Sequence, residues 1–157
     1  IIEPEKTMQK SQKLHGKMSF LDYRREQENR HFRKNIHVAG IIKSLLTVEI
    51  NSTELCNRKC TFCPRFDDSV YPNRNLNMSV FGADIIARRL SEVDYVGRIS
   101  FSGFGENLLN PNFSEIIGVF RAALPTAFIE CNTNGDHLDA PTVDAVISAG
   151  LNQLYIN

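Results

Sequence analysis

At 157 residues the chain suffices for one domain with a real core and is short for two of ordinary size. Its 42% apolar and 23% charged residues exclude wholesale disorder and a disulfide miniprotein, and no apolar stretch approaches the roughly 20 residues of a membrane helix. The net charge of zero hides an asymmetry: residues 1–35 carry nine Lys/Arg against five Asp/Glu, and the rest carry nine against thirteen.

The start, Ile1-Ile2-Glu3-Pro4, lacks an initiator Met and the basic-then-apolar layout of a secretory signal. The end, Gln153-Leu154-Tyr155-Ile156-Asn157, reads as a strand just begun, so a fragment is expected. Residues 1–38 read as a basic, helical N-terminal extension with interleaved charges, most simply a solvated helix flanking the core. Its few aromatics make nucleic acid an unlikely partner.

From residue 39 onward strand and helix signals alternate. Leu45 to Ile50 is a β-rich run ending at Asn51-Ser52-Thr53, and a Pro/Asn/Asp-rich loop follows from Pro64 to about Met78. Phe81, Ile85, Ile86, Leu90 and Val93 recur at helical spacing. Arg98 to Ser102 is a second strand, closed by Gly103. Asn110-Pro111 predicts a helix start, with Asn as the cap, and Phe113, Ile116, Ile117, Phe120 and Leu124 its buried face. Ala127 to Cys131 is a third strand, broken at Asn134-Gly135. A third helix starts near Pro141, packs Val143, Val146 and Ile147, and ends at Gly150. Leu154-Tyr155-Ile156 begins a fourth strand. The order predicts an α/β fold of parallel strands joined by right-handed crossovers, with the chemistry at the C-terminal sheet edge.

Cys56, Cys60 and Cys63 lie within eight residues, immediately after the first strand. A tight loop turning successive side chains inward can bring three thiolates to one metal. Structural zinc takes four protein ligands, and neither His137 nor Cys131 has finger-like spacing. An iron–sulfur cube held by three cysteines leaves one iron for a non-protein ligand. A disulfide framework is awkward in so short a loop. Cys131 reads as a small apolar residue ending a strand.

The run Cys56-x3-Cys60-x2-Cys63, with Phe62 before the last cysteine, resembles the signature of the radical S-adenosylmethionine (radical SAM) enzymes. Ser102-Gly103-Phe104-Gly105-Glu106-Asn107, after the second strand, is similar to the family's Gly-Gly-Glu-Pro segment, with Phe104 at its second glycine and Asn107 at its proline. Asn132-Thr133-Asn134-Gly135 is similar to its Thr-Asn-Gly turn. Cys63-Pro64-Arg65 is similar to members with a C-terminal auxiliary cluster domain of the SPASM type.

The resemblance implies a partial (βα)6 barrel, about its first three and a half units. It implies a 4Fe–4S cluster on Cys56, Cys60 and Cys63, with S-adenosylmethionine (SAM) chelating the open iron. One electron then cleaves SAM to methionine and a 5′-deoxyadenosyl radical that abstracts hydrogen from a substrate, small molecule or peptide. Phe62 lies against the adenine in this reading, and Gly103, Gly105 and Glu106 receive the methionine amino group. Asn132 and Asn134 face cofactor or substrate. An oxygen-labile cluster implies a cytoplasmic enzyme and a low-potential donor such as flavodoxin or ferredoxin. The competing reading is a structural zinc-binding module on the same three cysteines. A half-barrel with an unpaired fourth strand is expected to be poorly soluble alone.

Overall fold

Strands and helices alternate as β1 (Thr47–Ile50), α1 (Val80–Ser91), β2 (Arg98–Phe101), α2 (Phe113–Ala123), β3 (Phe128–Thr133), α3 (Ala140–Ser148) and β4 (Gln153–Ile156). The computed structural model describes residues 45–157 and, from the preceding segment, Glu26, Asn29 and Arg30. These three are helical, with Arg30 paired to Glu26 one turn away at 3.2 Å. The rest of the predicted N-terminal extension, and its boundary at residue 38, lie outside the described residues. Among the described residues no helix is long and apolar enough to cross a membrane.

All four strands are parallel and ordered β1-β2-β3-β4, each hydrogen-bonded to the next in sequence. This is the α/β architecture of a partial (βα) barrel. The register aligns Ile50, Phe101, Cys131 and Leu154 in one row and Val48, Ile99 and Ile129 in another. Alternation along a strand sends both rows to the same face, which α2 covers. Phe101 meets Phe113 and Phe120 edge-on, at 5.1 and 5.7 Å between ring centres. Ile116, Ile117 and Phe120 are completely buried, so the predicted face of α2 is the observed one.

The other helices bury narrower stripes than their apolar residues suggest. On α1 the buried stripe runs through Ala83 and Ala87, with Ile86 and Leu90 beside it, whereas Phe81 is 72% exposed and Ile85 46%. Two residues along a helix is a rotation of about 200°, so Phe81 and Ile85 fall opposite the alanines. On α3 only Val146 is fully buried, and Ile147, predicted to pack, is 56% exposed.

Local signals explain the helix ends. Ser79 caps α1 by accepting from Gly82 N at 3.1 Å, and Asp139 caps α3 by accepting from Thr142 N at 2.8 Å. That hydrogen bonding holds the Asp139 carboxyl below its ordinary range. The α3 terminus is a Schellman motif: Gly150 N donates to Ile147 O and Leu151 N to Val146 O, with Gly150 at φ +106°.

The Asn110-Pro111 signal is displaced. Asn110 does not cap α2, which begins at Phe113 behind Asn112. Its side chain accepts from Asn112 N and donates to Ser52 O and Met78 O, at 2.8 and 3.1 Å. Its Oδ1 is thus taken by Asn112 N, ahead of the helix, while its Nδ2 is held by carbonyls of two distant positions. The third strand also continues two residues past Cys131, because Thr133 pairs with Ile156 of β4. Cys131 therefore lies inside the strand, where burial pushes its thiol well above the usual range.

Candidate functional site

The three cysteines sit on an excursion that leaves the sheet after β1 and returns before α1. Its neck is closed by an isolated antiparallel bridge between Thr53 and Asn77. There Glu54 N donates to Leu76 O and Met78 N to Ser52 O, at 2.8 and 2.9 Å. Thr53 Oγ1 adds a bond to Leu76 O and accepts from Leu55 N. The excursion is thus anchored at the C-terminal edge of a parallel sheet, where the motif order places it.

Cys56, Cys60 and Cys63 are free and half-buried. Among the described residues no three His, Cys, Asp or Glu side chains converge as a metal-binding group, so the loop alone does not turn the thiols together. Metal–thiolate bonds normally supply that convergence, because a ligand set is rarely preformed without its ion. The donor chemistry suits an iron–sulfur cluster: three accessible thiols on one loop, unpaired by any disulfide. Phe62 is 90% exposed beside them.

The glycine loop after β2 packs directly on the neck. A Cβ at Gly105 would lie 1.8 Å from Thr53 O, and Gly105 N donates to Asn51 Oδ1. Gly103 has φ +125°, with Asn51 about 3.0 Å from its missing Cβ. Both glycines therefore have a reason in the chain itself: at Gly105 the close approach of the Thr53 backbone, at Gly103 a positive φ beside the Asn51 side chain.

Glu106 is 2% exposed, and its carboxylate is turned to the protein. It accepts from Thr133 Oγ1 at 2.8 Å, Asn134 N at 2.7 Å and Leu108 N at 3.1 Å. Asn107, at the position where the resemblance expects proline, is fully buried and makes four bonds. Its Oδ1 accepts from Ser52 N and Oγ, and its Nδ2 donates to Phe101 O and Asn132 O. One amide thereby joins the segment after β1 to β2 and β3.

The turn after β3 reaches back to the cysteine loop. Asn134 Nδ2 donates to Asn57 Oδ1 at 2.8 Å. Asn57 Nδ2 and Arg58 Nε both donate to Asp136 Oδ2 at 2.8 Å, and Arg58 Nη2 pairs with Asp136 Oδ1. The Arg58 guanidinium is the main reason the Asp136 carboxyl lies below its usual range. A carboxylate with a depressed pKa contributes above its unfolded pKa, and the contribution is lost as pH falls through the folded one. Acid titration is expected to release Arg58 before the fold opens, read as loss of the slowly exchanging Arg58 Nε proton by NMR while far-ultraviolet dichroism holds.

The sheet face opposite α2 is polar. Ser100 Oγ donates to Glu130 Oε1 at 3.0 Å, and Arg98 Nη1 lies 3.1 Å from Glu130 Oε2 as an ion pair outside hydrogen-bonding geometry. The Arg98 guanidinium also covers the Phe128 ring. The structure thus brings Asn134 to the cysteine loop, sets Gly103 and Gly105 against its neck and buries Glu106 beneath both. Asn132 aligns with Tyr155 of β4. Sequence reasoning gave no site role to Asn57, Asn73 or Asp136, and named Asn51 and Arg65 only as parts of a strand end and of a motif. A lone Asn or Asp in a loop carries no spacing signal, and its partners are as many as 79 residues away.

A parallel α/β sheet with a three-cysteine loop, a glycine loop and an Asn-Gly turn gathered at its C-terminal edge defines a metal-cofactor enzyme domain of the partial-barrel type. Residues 50–157 match the Radical SAM superfamily, and the chain belongs to that superfamily. It is 29% identical over 113 residues to the S-adenosyl-L-methionine-dependent 2-deoxy-scyllo-inosamine dehydrogenase of Niallia circulans, covering 72% of this chain and 44% of that one. To the GTP 3′,8-cyclase of Chlorobaculum tepidum it is 31% identical over 110 residues, covering 70% and 32%. The crystal structure of BtrN in complex with AdoMet and 2-DOIA superposes with a TM-score of 0.65 at 27% identity, over 71% of this chain and 45% of that one. The chain therefore spans less than half the length of each of these proteins. Family and neighbours make it a radical SAM enzyme domain whose cofactors are SAM and a 4Fe–4S cluster. Nothing in these matches extends to a SPASM domain.

Proposed function

We propose that Cys56, Cys60 and Cys63 ligate the cluster and that the protein uses it to generate a substrate radical by hydrogen abstraction. The observation that carries this reading is the convergence of three motifs at one sheet edge. Asn57 of the cysteine loop bonds Asn134 of the third motif, and Gly105 of the second abuts the loop's neck. Held by Cys56, Cys60 and Cys63, the cluster would supply the one-electron reduction of the SAM sulfonium on which such hydrogen abstraction depends.

The chain's own residues bind and orient. The three thiols give up their protons to become ligands. Phe62, exposed beside them, offers a flat apolar surface for the adenine. In the Gly103–Gly105 segment Gly105 N and Phe104 O are already bonded to Asn51 and Arg65, so the glycine carbonyls are the groups that receive the polar methionine end, while the Glu106 carboxylate ties the residues that follow to the end of β3. A small polar substrate is the class that the names of both relatives suggest for them, and we extend it to this chain. A low-potential protein such as flavodoxin or ferredoxin supplies the electron.

Anaerobic reconstitution tests the ligand assignment. The wild-type protein is expected to turn brown with about four irons per site, and its reduced EPR signal to shift on adding SAM. Replacing Cys56, Cys60 or Cys63 by Ala is expected to abolish cluster retention, whereas Cys131→Ala leaves it intact. A colourless protein holding one tight zinc would establish the structural zinc module instead.

A further inference from the structure

Arg65 is 3% exposed, an extreme for a side chain that is rarely buried without a carboxylate. It stands in the 3-10 turn Pro64–Phe66, which follows the last cysteine of the loop. Its guanidinium reaches three separate pieces of the site. Nε donates to Phe104 O in the glycine loop, Nη2 to Glu54 O at the neck, and Nη1 to Asn73 Oδ1 at 3.0 Å. Asn73 in turn grips Cys56, accepting from its N at 3.0 Å and donating to its O at 3.2 Å. The guanidinium also lies 4.7 Å from the centre of the Tyr71 ring, whose edge meets Phe104.

Every one of these acceptors is neutral. Among the described residues none of the ion pairs includes Arg65. A guanidinium keeps its charge in any protein environment, and carrying it into the interior without a counter-charge is costly. The missing negative charge is the kind that three thiolate ligands bring. A cation close to an iron–sulfur cluster favours the reduced, more negative state and so raises its potential.

We infer that Arg65 is a positioning residue that locks the glycine loop to the cysteine loop, and that its uncompensated charge raises the reduction potential of the cluster. The inference rests on the ligand assignment proposed above. The planar fork bonds the Phe104 carbonyl, the Asn73 amide oxygen and the Glu54 carbonyl from three separate nitrogens, which a lysine ammonium with one nitrogen cannot reproduce. Fork and charge are therefore separable by substitution.

The test compares wild type, Arg65→Gln and Arg65→Lys after anaerobic reconstitution, by iron content, EPR-monitored redox titration and SAM dissociation constant. Arg65→Gln is expected to titrate at a more negative potential and to bind SAM about tenfold more weakly, the equivalent of one lost charged hydrogen bond. Arg65→Lys is expected to keep a potential near wild type while still binding SAM more weakly. A wild-type potential in iron-replete Arg65→Gln overturns the inference, as does wild-type SAM affinity in Arg65→Lys. If Arg65→Gln fails to fold or to take up iron, Arg65→Lys alone decides, a shifted potential or unchanged SAM affinity refuting the inference. A wild-type protein that takes up no iron refutes the ligand assignment, and the inference with it.

Discussion

Asn107→Ala is expected to destabilise the domain by about 3–5 kcal/mol, a large share of the roughly 5–15 kcal/mol available to a domain of this size. The side chain is fully buried and satisfies four groups on three segments: Ser52 N, Ser52 Oγ, Phe101 O and Asn132 O. Truncation leaves these groups unpaired, at about 1–3 kcal/mol for each that water cannot reach. Asn107→Pro, which restores the residue the superfamily pattern expects, is expected to lose nearly as much, because the ring offers no donor or acceptor in place of the amide. Urea denaturation of both variants checks this, and a proline variant within about 1 kcal/mol of wild type would contradict the staple.

Glu106 separates charge from packing. Its carboxylate accepts three hydrogen bonds at 2% exposure, two of them from the β3 end at Thr133 and Asn134. Glu106→Ala deletes an acceptor for all three donors and opens space, so a loss of about 3–4 kcal/mol is expected. Glu106→Gln keeps the volume and one carbonyl acceptor but must turn its amide toward a donor, at a cost of about 1.5–3 kcal/mol. The functional signature is the Asn134–Asn57 bond, which the carboxylate holds in register. In both variants the amides of residues 133–136 are expected to lose hydrogen-exchange protection before those of β2 do. Equal protection throughout, with unchanged stability, would show that the carboxylate is not a brace.

Glu106 and Asn107 also show where sequence pattern and geometry part. A carboxylate inside a motif resembling Gly-Gly-Glu-Pro reads as a group aimed at a ligand, yet the structure turns it inward against β3. The two glycines read as openings toward a ligand, and the structure adds a reason internal to the chain, the close approach of Thr53 O to Gly105. In each case the residue type was legible and its direction was not, since direction depends on which distant segment lies beside it.

The sequence by itself determined the class of fold, the order and number of its strands and α-helices between Thr47 and Ile156, and the loop that carries the three cysteines. These are local matters: β-branched runs, the 3.6-residue period of α2, the Gly150 stop of α3, and cysteine spacing within eight residues. Tertiary structure alone decided which stripe of α1 is buried, why Asn110 does not cap α2, how far β3 runs and what holds the three motifs together. Those outcomes turn on partners 23 to 79 residues away, such as Ile156 for Thr133 and Asp136 for Asn57. A polar side chain announces that it needs a partner, and only the folded chain supplies the one it finds.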